Sequence, residues 1–253
     1  MNYAELMTKA ALLRKELGED SNSPIDIFAL AQRISGLTIV YYPMGDNLSG
    51  MCIKGQKGND VIAINSSMTL GRQRYSLAHE FYHLRFDENM ISVCAKKIGE
   101  GKEIEKEADM FASYFLMPDA SLVELAREYA EKNDDKQVSL NDVISIEQYF
   151  GVSHKAAVYR LLNTQYLSNK EADVFLTTPV RNRAESLGFS SDLYRPSPEG
   201  KRYMTYGNYI KQAERLLDDE LISVGKYEEL LLEAFRADLV FGDDEQEGGD
   251  VID

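Results

Sequence analysis

The chain of 253 residues is poor in cysteine, histidine and basic residues, and it contains no long apolar run. Only Cys52 and Cys94 occur, without C-x-x-C spacing, which excludes a disulfide scaffold and a cysteine-rich zinc ribbon. No stretch approaches the roughly 18 apolar residues of a membrane span. The first residues also lack the basic and then apolar pattern of a secretory signal. We therefore expect a cytoplasmic protein with no membrane contact.

Positive charge is scarce as well. Lysine and arginine number 28 against 42 aspartates and glutamates, which gives a formal net charge of −14. This balance opposes the basic surface that neutralises phosphates in non-specific nucleic-acid binding, so no direct nucleic-acid partner is expected. Six of the eleven residues 243–253 are acidic, and their composition predicts a disordered acidic tail.

The spacing of apolar residues predicts an α+β chain that is mostly helical. Three β-rich runs, residues 37–42, 48–54 and 60–65, are separated by turns of hairpin length and predict a small three-stranded antiparallel sheet. Periodicity, glycines and prolines predict the helices, which cover residues 3–17, 24–35, 69–86, 103–117, 121–132, 138–150, 152–163, 206–223 and 226–241. The two helices within 138–163 flank Gly151 and are spaced like a helix-turn-helix pair.

An H-E-x-x-H motif at residues 79–83 uses two of the three histidines in the chain. On a helix, His79 and His83 lie one turn apart on one face, so both imidazoles can reach a single Zn²⁺ at about 2.1 Å. Glu80 is displaced by about 100° around the helix and can act on a water molecule without ligating the metal. The alternative is an amphipathic helix that carries two ordinary histidines.

A catalytic zinc usually has three protein ligands and a water molecule, so a carboxylate is the expected third ligand. The helix predicted over 103–117 places Glu105, Ala108 and Asp109 on one face, and Glu107 points about 200° away from Glu105. We therefore favour Glu105 over Glu107 as the ligand. Asp109 is placed to accept the free N–H of a liganding imidazole. The alternative is a solvated charged face.

Residues 72–83, R-Q-R-Y-S-L-A-H-E-F-Y-H, are followed 22 residues after His83 by E-x-E-A-D-x-F-A. Together the two segments resemble the ImmA/IrrE family of metallo-endopeptidases, and the similarity covers about residues 1–165. The departures are the bulky pair Phe81 and Tyr82 inside the motif, and Asp109 where asparagine is frequent.

The resemblance implies a zincin-like, gluzincin-type peptidase domain over residues 1–167 and one Zn²⁺ per chain. Its ligands would be His79, His83 and Glu105, and Glu80 would be the catalytic base. Residues 168–242 would form a helical C-terminal extension of unknown role. The family theme implies a substrate that is a helix-turn-helix transcriptional repressor of a mobile element or stress regulon.

Some assignments stay open at this level. The group that stabilises the oxyanion is His154 or Tyr114, with Tyr82 and Tyr159 as further candidates. Cys94 lies in the connection between the two motif-bearing helices, where a zinc-ligand or redox role stands beside a purely structural one. The competing function is a non-catalytic, metal-stabilised module for regulation or protein interaction.

Overall fold

The computed structural model of the protein describes residues 2–95 and 102–242. The helices in these ranges are α1 Tyr3–Glu16, α2 Ile27–Arg33, α3 Leu70–Phe86, α4 Glu103–Leu116, α5 Asp119–Lys132, α6 Leu140–Phe150, α7 His154–Asn163, α8 Asn169–Thr177, α9 Arg181–Ser186, α10 Asn208–Asp218, α11 Val224–Glu233 and α12 Ala237–Phe241. The strands are β1 Leu37–Tyr42, β2 Leu48–Ile53, β3 Asp60–Asn65, β4 Ile91–Ala95 and β5 Met204–Gly207. The α+β, mostly helical class is confirmed. The predicted acidic tail, residues 243–253, lies outside the described residues.

The sheet differs from the predicted three-stranded antiparallel meander, which is wrong. Its strand order is β4-β2-β3-β1-β5, with β1 and β3 parallel and the other neighbouring pairs antiparallel. In the sheet, β3 lies between β1 and β2, although β2 follows β1 directly in the sequence. Asn65 holds this crossing, because its side chain accepts from the Met44 N–H and donates to the carbonyls of Gly45 and Leu48. A turn of hairpin length therefore joins strands that are not neighbours.

Two strands lie in segments for which the sequence predicted no strand. β4 follows α3 and forms one end of the sheet beside β2. β5 comes from the region after residue 168 and pairs with β1 at the other end. Gly207 ends β5 with a φ of +90°, and a Cβ there would lie 2.3 Å from the Leu37 carbonyl oxygen. Only glycine fits where these two strands approach each other.

Helix α3 packs between the sheet and α4. Leu77, Ala78 and Phe81 of α3 are fully buried, which explains why this helix has apolar residues on more than one face. On α4, Ala108 and Ala112 are also fully buried, and their small side chains allow the two helices to approach closely. The motif-bearing face of α3 is thereby held against α4. None of the described helices is long and apolar enough to cross a bilayer.

Arg14 ties α1 to the end of α4. Its side chain is 1% exposed, and its guanidinium donates to the carbonyl oxygens of Phe115 at 2.6 Å, Asp20 at 2.8 Å and Ser23. Burial lowers the pKa of Arg14, while the nearby acids Asp20 and Glu19 raise it. The side chain therefore donates to three backbone carbonyl oxygens at once.

We expect Arg14→Met to lower the free energy of unfolding by about 2–4 kcal/mol, because three carbonyls lose a charged donor. The exposed neighbour Lys15 offers a matched control, and Lys15→Met should change stability by no more than about 0.5 kcal/mol. Urea denaturation measures both. Equal midpoints for the two variants would show that Arg14 does not anchor α1.

Candidate metal centre

The H-E-x-x-H residues lie in the C-terminal half of α3 and face the interior. His79, Glu80 and His83 are 7%, 0% and 1% exposed. Glu105 is in the first turn of α4, where a carboxylate is stabilised by the helix dipole. The structure thus brings together the three residues that the sequence proposed as metal ligands.

The potential ligand atoms of these residues are already at metal-site spacing. His79 Nε2 lies 3.2 Å from His83 Nε2 and 3.3 Å from Glu105 Oε2, and His83 Nε2 lies 3.5 Å from Glu105 Oε1. A tetrahedral ion with bonds of about 2.0–2.1 Å separates its ligand atoms by about 3.3–3.4 Å. A cation therefore fits between the three atoms with little movement.

Two carboxylates hold the histidines from behind. Asp109 Oδ1 is 2.9 Å from His79 Nδ1, and Asp87 Oδ2 is 2.8 Å from His83 Nδ1. These partners place the hydrogens of the neutral rings on Nδ1, so that both Nε2 atoms present lone pairs. Two lone pairs and a carboxylate then converge on one point, an arrangement that fits a cation.

Asp109 is the partner that helix periodicity predicted, whereas sequence reasoning missed Asp87. The available signal was its spacing, because Asp87 lies four residues after His83. It is, however, the C-cap of α3, where the chain leaves the helix, and periodicity gives no direction for its side chain. The N–H and side-chain amide of Asn89 donate to its other oxygen and fix its orientation.

Glu80 is the least satisfied polar group at this site. Among the described residues, neither of its carboxylate oxygens has a hydrogen-bond partner, although the side chain is fully buried. Burial raises the pKa of Glu80 to about 7. Its carboxylate packs on Gly50 of β2, where a Cβ would come within 2.8 Å of Oε1. An unpartnered buried carboxylate beside a cation site is suited to accept a proton from water.

A fourth potential ligand belongs to the same cluster. The ligand atoms of His79, His83, Glu105 and Cys94 all lie within 4.8 Å of one another. Cys94 is a fully buried residue of β4, and burial raises the pKa of its thiol to about 12 in the absence of a metal. The zinc-ligand alternative for this cysteine therefore has a structural basis.

The candidates for oxyanion stabilisation have other partners. His154 pairs through Nδ1 with Glu147 at 2.5 Å and through Nε2 with the Phe175 carbonyl oxygen at 2.9 Å, so both ring nitrogens are engaged. The ring of Tyr114 lies 4.4 Å from the Arg160 guanidinium.

The two further tyrosines are also in contact with other side chains. The Tyr82 hydroxyl donates to Glu107 at 2.8 Å. The ring of Tyr159 lies 5.5 Å from the Lys155 ammonium. Among the described residues, His154 is not a member of the cluster of converging ligand atoms.

Comparison with known families gives a match over the same region. Residues 33–162, about half of the chain, match the model of a peptidase family described as the IrrE N-terminal-like domain. The matched segment includes α3, β4 and α4, and with them every residue of the cluster. A comparison with curated proteins gave no match.

Glu105 and Glu107 provide a test of the ligand set. Glu105→Ala should lose most of the bound metal, because the carboxylate that converges with the two imidazoles is removed. Glu107→Ala should keep it, since Glu107 is bonded to Tyr82. Elemental analysis of the purified variants decides between them. If Glu105→Ala kept its metal and Glu107→Ala lost it, Glu107 would be the ligand and our assignment of the α4 face would be wrong.

Asp87→Ala and Asp109→Ala should each weaken metal binding by about 10–100-fold, because the liganding imidazole loses the acceptor that orients it. Asp119→Ala serves as the control, since Asp119 pairs with Arg160 and not with a histidine of the motif. Competition with a chromophoric chelator gives the three affinities. If both test variants bind the metal as tightly as wild type, these carboxylates do not orient the imidazoles for binding.

Proposed function

Because this chain belongs to the ImmA/IrrE family of metallopeptidases, we propose that it is a zinc-dependent endopeptidase. The observation that carries the proposal is the pairing of a cation site with an unpartnered carboxylate. His79, His83 and Glu105 converge at 3.2–3.5 Å, and Glu80 lies buried beside them without a hydrogen bond. A site that only stabilised the fold would have no use for that carboxylate.

Zinc suits the donor set better than magnesium or calcium. Two imidazole nitrogens and one carboxylate form a common ligand set of catalytic zinc, and a thiol lies in the same cluster. Magnesium and calcium favour sites made of oxygen ligands. We propose one zinc ion per chain.

A zinc ion held there would supply Lewis-acid polarisation of the scissile carbonyl and of the attacking water. Glu80 would take the proton of that water and deliver it to the nitrogen of the leaving amine. Burial raises the pKa of Glu80, which favours proton uptake from the water. His79 and His83 are kept in position by Asp109 and Asp87 throughout.

The end strand β4 offers a place for the substrate chain. Within the described residues β4 pairs only with β2, so its outer edge presents unpaired backbone groups. Ile91 and Val93, which are 62% and 53% exposed, provide apolar contacts for an extended peptide. A peptide added along this edge would pass the metal cluster, since Cys94 of the same strand belongs to it.

We propose that the substrate is a transcriptional repressor with a helix-turn-helix domain, from a mobile element or a stress regulon. A DNA-binding protein carries a basic surface, and the net charge of −14 would attract it and make the encounter sensitive to salt. The proposed setting is the cytoplasm, where such a repressor acts. The residues after 168 lie outside the matched region and are free to contribute specificity.

Direct DNA binding by the chain itself is not part of the proposal. Of the two cations that α7 offers, Arg160 is buried and pairs with Asp119 at 2.8 Å, and only Lys155 is exposed. A single exposed cation on the second helix of the α6–α7 pair makes a poor phosphate contact surface.

The alternative function is a non-catalytic, metal-stabilised module for regulation or protein interaction. The presence of Cys94 in the cluster favours it, because zinc with four protein ligands is typical of structural sites. The buried, unpartnered Glu80 favours the peptidase. A variant of Glu80 separates the two functions.

Glu80→Gln should keep its zinc and its fold, because glutamine has nearly the same shape and residue 80 is not a ligand. It should lose peptide-bond cleavage by about 10²–10⁴-fold or more, since an amide cannot accept the proton. Capture of partners by this variant in the native host, followed by incubation of the captured protein with wild type, measures cleavage.

Glu107→Gln is the matched control and should cleave like wild type, because its carboxylate is bonded to Tyr82. Equal behaviour of wild type and Glu80→Gln towards the captured protein would reject the peptidase and favour the interaction module.

A further inference from the structure

We propose that Cys94 is a fourth protein ligand of the metal in the resting protein, and that its thiolate keeps the peptidase closed. The part of this inference that concerns regulation rests on the proposed peptidase function. The part that concerns coordination stands on the geometry of β4 and of the metal cluster alone.

The alternation of side chains along β4 directs the thiol inwards. Ile91 and Val93 are 62% and 53% exposed, whereas Ser92 and Cys94 are 8% and 0% exposed. Successive side chains of a strand point to opposite faces, so the pairing with β2 sets which residues face α3. The register places Cys94 opposite Gly50, and the Ser49 hydroxyl donates to the Cys94 carbonyl oxygen at 3.3 Å.

The distances from the Cys94 sulfur to the other ligand atoms are close to those of a coordinated thiolate. The sulfur lies within 4.8 Å of each of the other three ligand atoms. A tetrahedral zinc with a Zn–S bond of about 2.3 Å places sulfur about 3.6 Å from its nitrogen and oxygen neighbours. A shift of at most about 1.2 Å therefore completes a four-ligand site of two histidines, one glutamate and one cysteine.

The thiol also lies beside the proposed base. Gly50 is the strand partner of Cys94, and the Glu80 carboxylate packs on that same glycine. Glu80 and His79 are among the charged neighbours of the thiol. The attacking water must lie within reach of both Glu80 and the metal ligands, and Cys94 occupies that neighbourhood. Four protein ligands close a zinc site, and three leave a position for water.

Closing and opening are a ligand exchange without any redox change. With a metal held by His79, His83 and Glu105, closing would release the Cys94 proton to solvent and exchange one water for the sulfur. Opening would reverse this exchange, and the thiol would regain a proton. The strand that carries the thiol is held by β2 on one side only, within the described residues. A peptide that pairs with the free edge of β4 would therefore act on the same strand that closes the site.

Cys52 provides a matched control. It is buried to 1% exposure on β2, and burial raises the pKa of its thiol to about 12, as it does for Cys94. Cys52 is absent from the metal cluster of the described residues. Substitution of either cysteine by alanine removes one buried sulfur from the same sheet, and only one of them removes a proposed ligand.

The coordination test is zinc-edge X-ray absorption on the full chain loaded with one zinc ion. Wild type and Cys52→Ala should show one sulfur at about 2.3 Å among nitrogen and oxygen neighbours, and Cys94→Ala should show none. Cobalt substitution gives a second measurement, since a thiolate-to-cobalt charge-transfer band should be present in the first two proteins only. A wild-type spectrum without sulfur overturns the inference, whether or not the variants fold, and it leaves the peptidase proposal intact.

The regulatory test compares cleavage rates on the protein captured by Glu80→Gln. If the open form is roughly a tenth of the resting population, Cys94→Ala should cleave about tenfold faster than wild type. Cys52→Ala should match wild type, and Glu80→Gln/Cys94→Ala should be inactive. If sulfur is coordinated but Cys94→Ala cleaves no faster than wild type, the thiolate does not keep the peptidase inactive. Cleavage by no variant at all overturns the peptidase proposal, while the sulfur signal still decides the coordination.

Discussion

The convergence of acceptor atoms between α3 and α4 is the constraint on which the rest of the site depends. Two imidazole nitrogens and a carboxylate stand 3.2–3.5 Å apart, a spacing that matches the ligand atoms of a tetrahedral cation. The arrangement persists because Asp87 and Asp109 fix the rings from behind. Close packing at Ala108 and Ala112 brings the second helix near enough for Glu105 to take part. Metal binding and helix packing thus depend on one another.

Helix periodicity predicted the part of the site that lies on regular helices. Four-residue spacing on one helix placed His79 and His83 together, and the same rule on α4 selected Glu105 and Asp109. The structure brings His79, His83 and Glu105 to one point and places Asp109 behind His79, on its Nδ1. Such predictions succeed because the relative positions of residues on one helix are fixed by local hydrogen bonds. They required no knowledge of how the two helices meet.

Helix periodicity could not predict which strands from distant segments pair with each other. The three β-rich runs were found, but their turns suggested a meander, and β1 and β3 proved to be parallel neighbours. The choice of neighbour depends on burial, since Ile62 and Ile64 are fully buried in β3. The place of Cys94 depends on strand register in the same way. A slip of one residue along β2 would turn its thiol to the exposed face and bring Val93 towards α3.

Strand β4 joins two requirements of a peptidase that oppose each other. A base works best when it is removed from water, and full burial gives Glu80 its raised pKa. The attacking water and the peptide must nevertheless reach that base. Within the described residues, β4 is held at one edge only, so fewer hydrogen bonds resist its displacement than resist that of a central strand. It can therefore cover the site and still move away from it. Within the described residues β4 carries both Cys94 and an edge without a partner strand. In the proposed function, the arrival of substrate and the opening of the metal site would involve the same backbone.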